Sequence, residues 1–193
     1  MNRLLSPYFD LAYFIRFSVL LVGVYYFHVG FNGIISPEGE HYSAFLDHYF
    51  NYIAGIRNVI LNGSNLILHQ QGIPSYIEGS QVIMLAHGPG VNVWFPCLGL
   101  GIISFWIAFV VAHEQNWKIK LAWCLAGLIL ITLINCIRIA ILLLSLHKNW
   151  REFVGLNHHD LFNLACYICI FFLICFYNKN NQKFGNYKIS PAL

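Results

Sequence analysis

Three side chains of types that carry out chemistry stand in otherwise apolar stretches of the chain. Cys97 lies in VWFPCLGLG, Arg138 in ITLINCIRIAILLLSL and His159 in GLNHHDLFN. A cysteine thiolate attacks carbonyl carbons, an arginine stabilises the negative charge that results, and a histidine protonates a leaving amine. These three types together predict acyl transfer on a peptide bond if the fold brings them to one face.

Each of the three residues also has an ordinary structural explanation. Arg138 lies about 26 Å from Leu121 along a helix, at ~1.5 Å per residue, so its side chain could extend to the outer lipid phosphates. Cys97 could be a packing residue at a helix end. His159 could be an ordinary loop histidine, and the adjacent His158 competes with it for the catalytic role. A shared chemical role is favoured because the three residues come from separate stretches that converge on one predicted face.

The composition predicts an integral membrane protein with one membrane-embedded domain, residues 1–193. Hydrophobic residues make up 58% of the 193 residues and charged residues 10%, against roughly 25% charged residues in a soluble domain. The mean hydropathy is +0.61. This excludes a soluble domain and a disordered chain. The net charge of +3 is too small and too scattered to indicate nucleic-acid binding.

Four apolar runs have about the length that crosses a bilayer, which needs ~20 residues. They lie within Leu11 to Ile35, from Cys97 to Ala112, from Leu121 to Leu146 and from Leu161 to Tyr177. The first run contains Arg16 and lacks a cleavage site of small residues, so we interpret it as a permanent anchor and not a signal peptide. The predicted fold class is an all-α integral membrane protein with about four transmembrane helices.

The distribution of Lys and Arg predicts the orientation in the cell membrane. Short segments on one side carry Arg3, Lys118, Lys120, Lys179, Lys183 and Lys188. Segments on the other side carry Arg57, Lys148 and Arg151. The richer side is the cytoplasmic one, so both termini and a tail at 178–193 are predicted inside. Residues 36–95 and the loop 147–160 then lie on the outer face, together with the three candidate catalytic residues.

The outer segment is predicted to be structured. Apolar residues recur at helical spacing between Tyr42 and Leu61, which indicates an amphipathic helix packed on the bundle or lying in the interface. Short β-prone runs at 75–77, 81–85 and 91–95 alternate with Gly- and Pro-containing turns, as in a small β-hairpin. The last run would deliver Cys97 to the outer mouth of the second membrane helix.

The cysteines leave a second enzyme class open. A membrane thiol–disulfide oxidoreductase needs paired cysteines in outer loops, whereas only Cys97 of the six cysteines lies near the outer face. Cys166 and Cys169 form a C-x-x-C motif inside an apolar run. We therefore expect them to be packing or lipid-facing residues.

Two further classes are open. A metal-binding membrane protein is suggested by His41 and His48, which are spaced i, i+7, and by the adjacent His158 and His159. None of these histidines stands in a cluster with sharp metal-ligand spacing, so we predict no metal and no cofactor. A non-enzymatic accessory protein of protein sorting or polysaccharide export is the main alternative to an enzyme.

The order of the motifs resembles the exosortase/archaeosortase family of membrane-embedded cysteine transpeptidases. That family carries a Cys before a helix start rich in small residues, an N-x-x-R motif at the outer end of the next helix, and a His or Arg at the start of a later helix. The matching motifs here are Cys97 in PCLGLG, Asn135 and Arg138 in NCIR, and His159 in HDLFN. The chain departs from the pattern at Leu98, where many members have Ser, and in having fewer helices than most exosortases.

The resemblance implies a bacterial cell membrane as the location, a substrate class and the roles of the residues. The catalytic residues are then Cys97, Arg138 and His159, and the supporting residues are Asn135, His158 and Asp160. The implied partners are membrane lipid and exported proteins that end in a short motif, an apolar helix and a basic tail. The enzyme would cut near the motif on the outer face and transfer the new C-terminus to an unidentified amine acceptor, or to water.

Overall fold

The computed structural model describes residues 10–37, 39–148 and 158–186, and from residue 158 onward it describes the side chains of 164 and 166–179. Within this part the chain is mostly helical. The α-helices are α1 Leu11–Ile35, α2 Ala44–Phe50, α3 Tyr52–Gln70, α4 Leu100–Ala112, α5 Trp117–His147 and α6 His158–Asn186. The strands are β1 Ser75–Glu78, β2 Val82–Leu85 and β3 Gly90–Asn92, and a 3-10 helix follows at Phe95–Leu98. The chain divides into two compact units, Met1–Leu143 and Leu144–Leu193, while the single domain over residues 1–193 stays a prediction.

Two of the predicted membrane runs form helices long and apolar enough to cross a bilayer. In the described part of the chain these are α1, with 25 residues, and α5, with 31 residues. α1 begins directly after Asp10, whose side chain accepts a hydrogen bond of 3.0 Å from the backbone N–H of Tyr13 and so caps the helix. α4 has 13 residues and reaches about 20 Å, which is shorter than the ~30 Å hydrocarbon core. The count of four spans stays a prediction.

α1 and α4 pack side by side and run in opposite directions. The rings of Tyr13 and His113 have centroids 4.6 Å apart, and those of Phe17 and Phe105 are 5.4 Å apart. Tyr25 lies next to Gly101, where an added Cβ would be 3.9 Å from its ring. The start of α1 is therefore level with the end of α4, and the residues that precede α4 lie at the opposite end.

α5 packs against α4 through a tryptophan and a glycine. The ring of Trp106 is 1% exposed, and its Nε1–H donates a hydrogen bond of 2.9 Å to the backbone carbonyl of Trp123. A side chain at Gly127 would collide with this ring. The small residue thus lets the two helices approach closely.

α3 also packs on α5, and the contact is made by small polar residues. The buried Ser64 hydroxyl donates a hydrogen bond of 3.0 Å to the backbone carbonyl of Cys136. An added Cβ at Gly63 would lie 2.6 Å from Sγ of Cys136. α3 therefore belongs to the packed core of the first unit.

The amphipathic helix predicted from Tyr42 to Leu61 is wrong as a single helix. The structure has two helices, α2 and α3, which break at Asn51. The Asn51 side chain accepts a hydrogen bond of 2.7 Å from the backbone N–H of Ala54 and donates one of 2.6 Å to Asp47. Asn favours such caps because its side chain competes with the helical hydrogen bonds. α3 then continues to Gln70, beyond the predicted end.

The predicted β-prone runs form a three-stranded antiparallel sheet in the order β1-β2-β3. Ser75 pairs with Leu85, and Ile83 pairs with Val91. The expectation of strands is confirmed, but the third strand ends at Asn92 and not at Phe95. Ile83, Leu85 and Val93 are buried, so one face of the sheet packs onto the protein and leads the chain towards Cys97.

Candidate functional site

Cys97 lies in the 3-10 helix Phe95–Leu98 and is half-buried. Its backbone N–H donates a hydrogen bond of 2.8 Å to the carbonyl of Trp94. Gly99 follows with φ of 71°, and only then does α4 begin, at Leu100. The second membrane helix was expected to start at Cys97, and the left-handed Gly99 is the reason that it does not. The thiol is therefore presented by a tight turn ahead of α4.

Asn135 connects α5 to this turn. Its side-chain Nδ2 donates a hydrogen bond of 3.2 Å to the carbonyl of Leu98, and the residue is 1% exposed. A side chain at Gly99 would collide with the Asn135 carboxamide. Gly99 thus satisfies two requirements at once, a positive φ and an empty space for the amide. The N-x-x-R helix and the cysteine turn are in direct contact.

Arg138 follows Asn135 by three residues and lies on the same side of α5. It is 7% exposed, so the side chain is enclosed by protein. An arginine that snorkels to lipid phosphates keeps its charged end in the headgroup region, which this burial does not fit. Because Asn135 contacts the residue after Cys97, Arg138 lies at the same end of the first unit as Cys97.

The third predicted catalytic residue stands on another element. His158, His159 and Asp160 form the start of α6, in the second of the two units. Their side chains lie outside the described residues. The predicted catalytic role of His159 and the supporting roles of His158 and Asp160 therefore stay predictions.

The remaining cysteines are thiols without a disulfide bond. All six cysteines are free, with Cys136 and Cys166 buried and Cys175 exposed. In the described residues no three His, Cys, Asp or Glu side chains group as metal ligands would.

Sequence reasoning did not single out a buried histidine and its partner. His28 of α1 is 8% exposed, and its Nδ1 lies 2.7 Å from the hydroxyl of Tyr52 at the start of α3. Burial raises the pKa of Tyr52. The criterion that singled out Arg138, an ionisable group within an apolar run, would also have found His28. Tyr25, three residues earlier, lies next to Gly101, so His28 lies towards the Cys97 end of the bundle.

The comparisons with known proteins identify one family. A family model described as transmembrane exosortase (Exosortase_EpsH) matches residues 11–176. The match covers most of the chain and includes the Cys97 turn, the N-x-x-R motif and the start of α6. No curated protein and no solved structure matches the chain.

Proposed function

The chain belongs to the transmembrane exosortase family, and from that premise we propose that it is a membrane-embedded cysteine transpeptidase. It cuts the C-terminal sorting segment of exported proteins at the outer membrane face and joins the new carboxyl end to an amine. The observation that carries the proposal is the hydrogen bond from Asn135 to the carbonyl of Leu98. It fastens the cysteine turn to the helix that carries Arg138.

The first step forms a thioester. The Cys97 thiolate attacks the carbonyl carbon of the scissile peptide bond, a C–S bond forms, and the C–N bond breaks. The leaving amine takes a proton, which we assign to His159 as the general acid. Arg138 supplies the positive charge that stabilises the thiolate and the oxyanion.

The second step releases the product. An amine of the acceptor attacks the thioester carbonyl and passes a proton to His159, which now acts as the general base; the C–N bond forms, the C–S bond breaks, and Cys97 leaves as a thiolate. Water at the same position yields a free carboxylate, so transfer and proteolysis differ only in the nucleophile. Neither outcome changes an oxidation state, so neither needs an oxidant or a reductant, and Cys97 itself supplies the nucleophile of the first step.

The proposed orientation places both termini in the cytoplasm and the reaction on the outer face, with four spans. The packing of the first unit supports this arrangement. Arg16 near the start of α1 donates a hydrogen bond of 2.7 Å to Glu114, which follows α4. Both residues lie at the end of the bundle where the Lys-containing segment 113–120 is predicted to be cytoplasmic. The Cys97 turn and Arg138 lie at the other end.

A cellular processing assay tests the proposed function. The probes are exported proteins of the host that end in an apolar helix and a basic tail, and mass spectrometry follows their C-termini. Wild type should shorten a defined subset of them, and Cys97→Ala should shorten none while inserting normally in the membrane. Cys175→Ala is the matched control, because Cys175 is also a free cysteine but is exposed on α6.

An unchanged subset in cells with Cys97→Ala would contradict the enzymatic proposal. It would favour a non-enzymatic accessory protein of sorting. The insertion control separates this outcome from a simple loss of the protein.

A further inference from the structure

A polar cavity lies in the outer segment of the first unit, apart from the Cys97 turn. Its volume is about 330 Å³, and it is bordered by the end of α1, by α2, by the start of α3 and by the turn between β1 and β2. One water accounts for roughly 30 Å³ of liquid, so the cavity has room for a group much larger than a water molecule.

Arg57 of α3 lines this cavity with an unsatisfied donor. Its Nε is buried and has no hydrogen-bond partner among the described residues. Within the same part of the chain no carboxylate forms an ion pair with it. Burial lowers the pKa of Arg57, since desolvation disfavours the charged form. A buried N–H donor without an acceptor is costly, and within the described residues the half-buried Arg57 brings such a donor to the cavity.

The first turn of α3 adds positive potential to the cavity. Ile53 and Ala54 belong to that turn and line the cavity together with the capping residue Asn51. The N-terminus of a helix of 19 residues carries a partial positive charge and favours oxyanions. The helix end and Arg57 therefore act on the same space.

Asp47 of α2 provides a fixed negative group on another wall. One of its carboxylate oxygens accepts a hydrogen bond of 2.9 Å from the Tyr42 hydroxyl, and the other accepts one of 2.6 Å from Asn51. The carboxylate is thus oriented without pairing with Arg57. The cavity holds one cationic and one anionic side chain, which is the pattern that complements a zwitterion.

The cavity lies at the depth of lipid headgroups if α1 spans the membrane. α1 has 25 residues, about 37 Å, and its end reaches past the ~30 Å hydrocarbon core. Asn32 and Ser36, at that end, line the cavity. The neighbouring helix α2 exposes Phe45 and Tyr49 by 62% and 67%. Exposed aromatic rings of this kind are typical of the membrane–water interface.

We propose that this cavity binds the phosphate of a membrane phospholipid headgroup. The planar fork of Arg57 donates to the phosphate oxygens, as guanidinium groups do in bidentate contacts. Asp47 favours headgroups that also carry an ammonium group over purely anionic ones. The assignment depends on the depth of α1 in the bilayer and does not depend on the reaction of Cys97.

Native mass spectrometry of the full-length chain in detergent tests the proposal. The probes are phosphatidylethanolamine, phosphatidylglycerol and their mixture. Each is supplied as vesicles into which the chain is incorporated before it is extracted with detergent. Wild type should retain one phospholipid, with phosphatidylethanolamine preferred. Arg57→Gln should lower the retained fraction by about tenfold or more, which is the effect expected for a hydrogen bond to a charged group. Arg57→Lys should lose less, because the charge remains and only the fork is lost.

Two matched variants sharpen the test. Arg16→Gln removes an exposed arginine at the opposite end of α1 and should retain lipid as wild type does. Asp47→Asn should shift the preference towards phosphatidylglycerol. A melting curve for each variant shows whether it is folded, and Arg57→Lys keeps the test valid if Arg57→Gln does not fold.

The proposal is overturned if folded Arg57→Gln, or Arg57→Lys in its place, retains lipid as Arg16→Gln does. Displacement of the lipid from wild type by inorganic phosphate alone would assign the site to free phosphate. Displacement by an acidic peptide would assign it to a protein partner. Either result would also overturn the lipid assignment.

Discussion

Asn135 of α5 donates a hydrogen bond to the carbonyl of Leu98, the residue that directly follows Cys97. The bond is buried and joins two elements that are 37 residues apart in sequence. The position of the thiol relative to α5 is therefore fixed by a side chain one helical turn from Arg138. The Asn135 amide occupies the space where a side chain at position 99 would lie. Substitution of Gly99 therefore tests whether this contact matters for the site.

Gly99→Ala is expected to destabilise the protein and to reduce processing. The φ of 71° costs an L-residue roughly 1–2 kcal/mol, and the new methyl group would displace Asn135. Thermal unfolding and the processing rate measure the two effects. Gly23→Ala is the control, since an added Cβ at Gly23 meets nothing within 4 Å and should be tolerated. Wild-type processing by Gly99→Ala would show that the contact is unimportant for the site.

Arg138→Lys is expected to insert normally and to lose most of the transfer rate. Lys offers a point charge in place of a planar fork of donors, and burial favours its neutral form. Loss of one oxyanion donor costs about 100- to 1,000-fold in rate, and we expect a loss of that order. Arg16→Lys, at an exposed arginine, is the control for the processing assay. A wild-type transfer rate in Arg138→Lys would show that the reaction does not need the planar donor geometry of Arg138.

His159→Ala is expected to be inactive, whereas His158→Ala should retain activity. His159 opens the stretch HDLFN, which matches the family's basic residue at the start of a later helix, whereas His158 precedes that stretch. Both variants are compared in the processing assay at equal membrane abundance. The reverse pattern would mean that the register at the start of α6 is wrong by one residue, although the reaction class would stand.

The proposed orientation predicts how cysteine labelling divides between the two faces. An impermeant thiol reagent should react in whole cells with Ser36→Cys and should miss Glu114→Cys, in a background where the other accessible cysteines are replaced. Permeabilised cells provide the control, because both positions should then react. If only Glu114→Cys is labelled in whole cells, the reaction cannot lie on the outer face.

The sequence alone was sufficient to predict the helices and strands that depend on a local pattern of residues. The run Leu11 to Ile35 coincides with α1, because a long apolar segment has one favourable state in a bilayer. The three β-prone runs became strands because β-branched and aromatic residues bounded by turn residues favour extended backbone. The break at Asn51 was missed, because apolar spacing continues across it while the side chain makes a cap.

The geometry of the candidate site depended on contacts between distant residues. That Asn135 rests on Gly99 requires the packing of α4 against α5, which no local pattern contains. The pairing of His28 with Tyr52 and the cavity beside Arg57 likewise arise where α1, α2 and α3 meet. Residue types predicted the chemistry, and tertiary packing decided which of these residues are neighbours.

The formation of a thioester between Cys97 and the substrate can be measured as a change in the intact mass of the enzyme during turnover. A variant that keeps Cys97 and replaces the other five cysteines by Ala or Ser is mixed with a processed substrate and quenched in acid. We predict an added mass equal to the substrate fragment that ends at the cleavage site, located on Cys97 and released by hydroxylamine. Full processing without such an adduct, together with equal processing by Cys97→Ala, would contradict it.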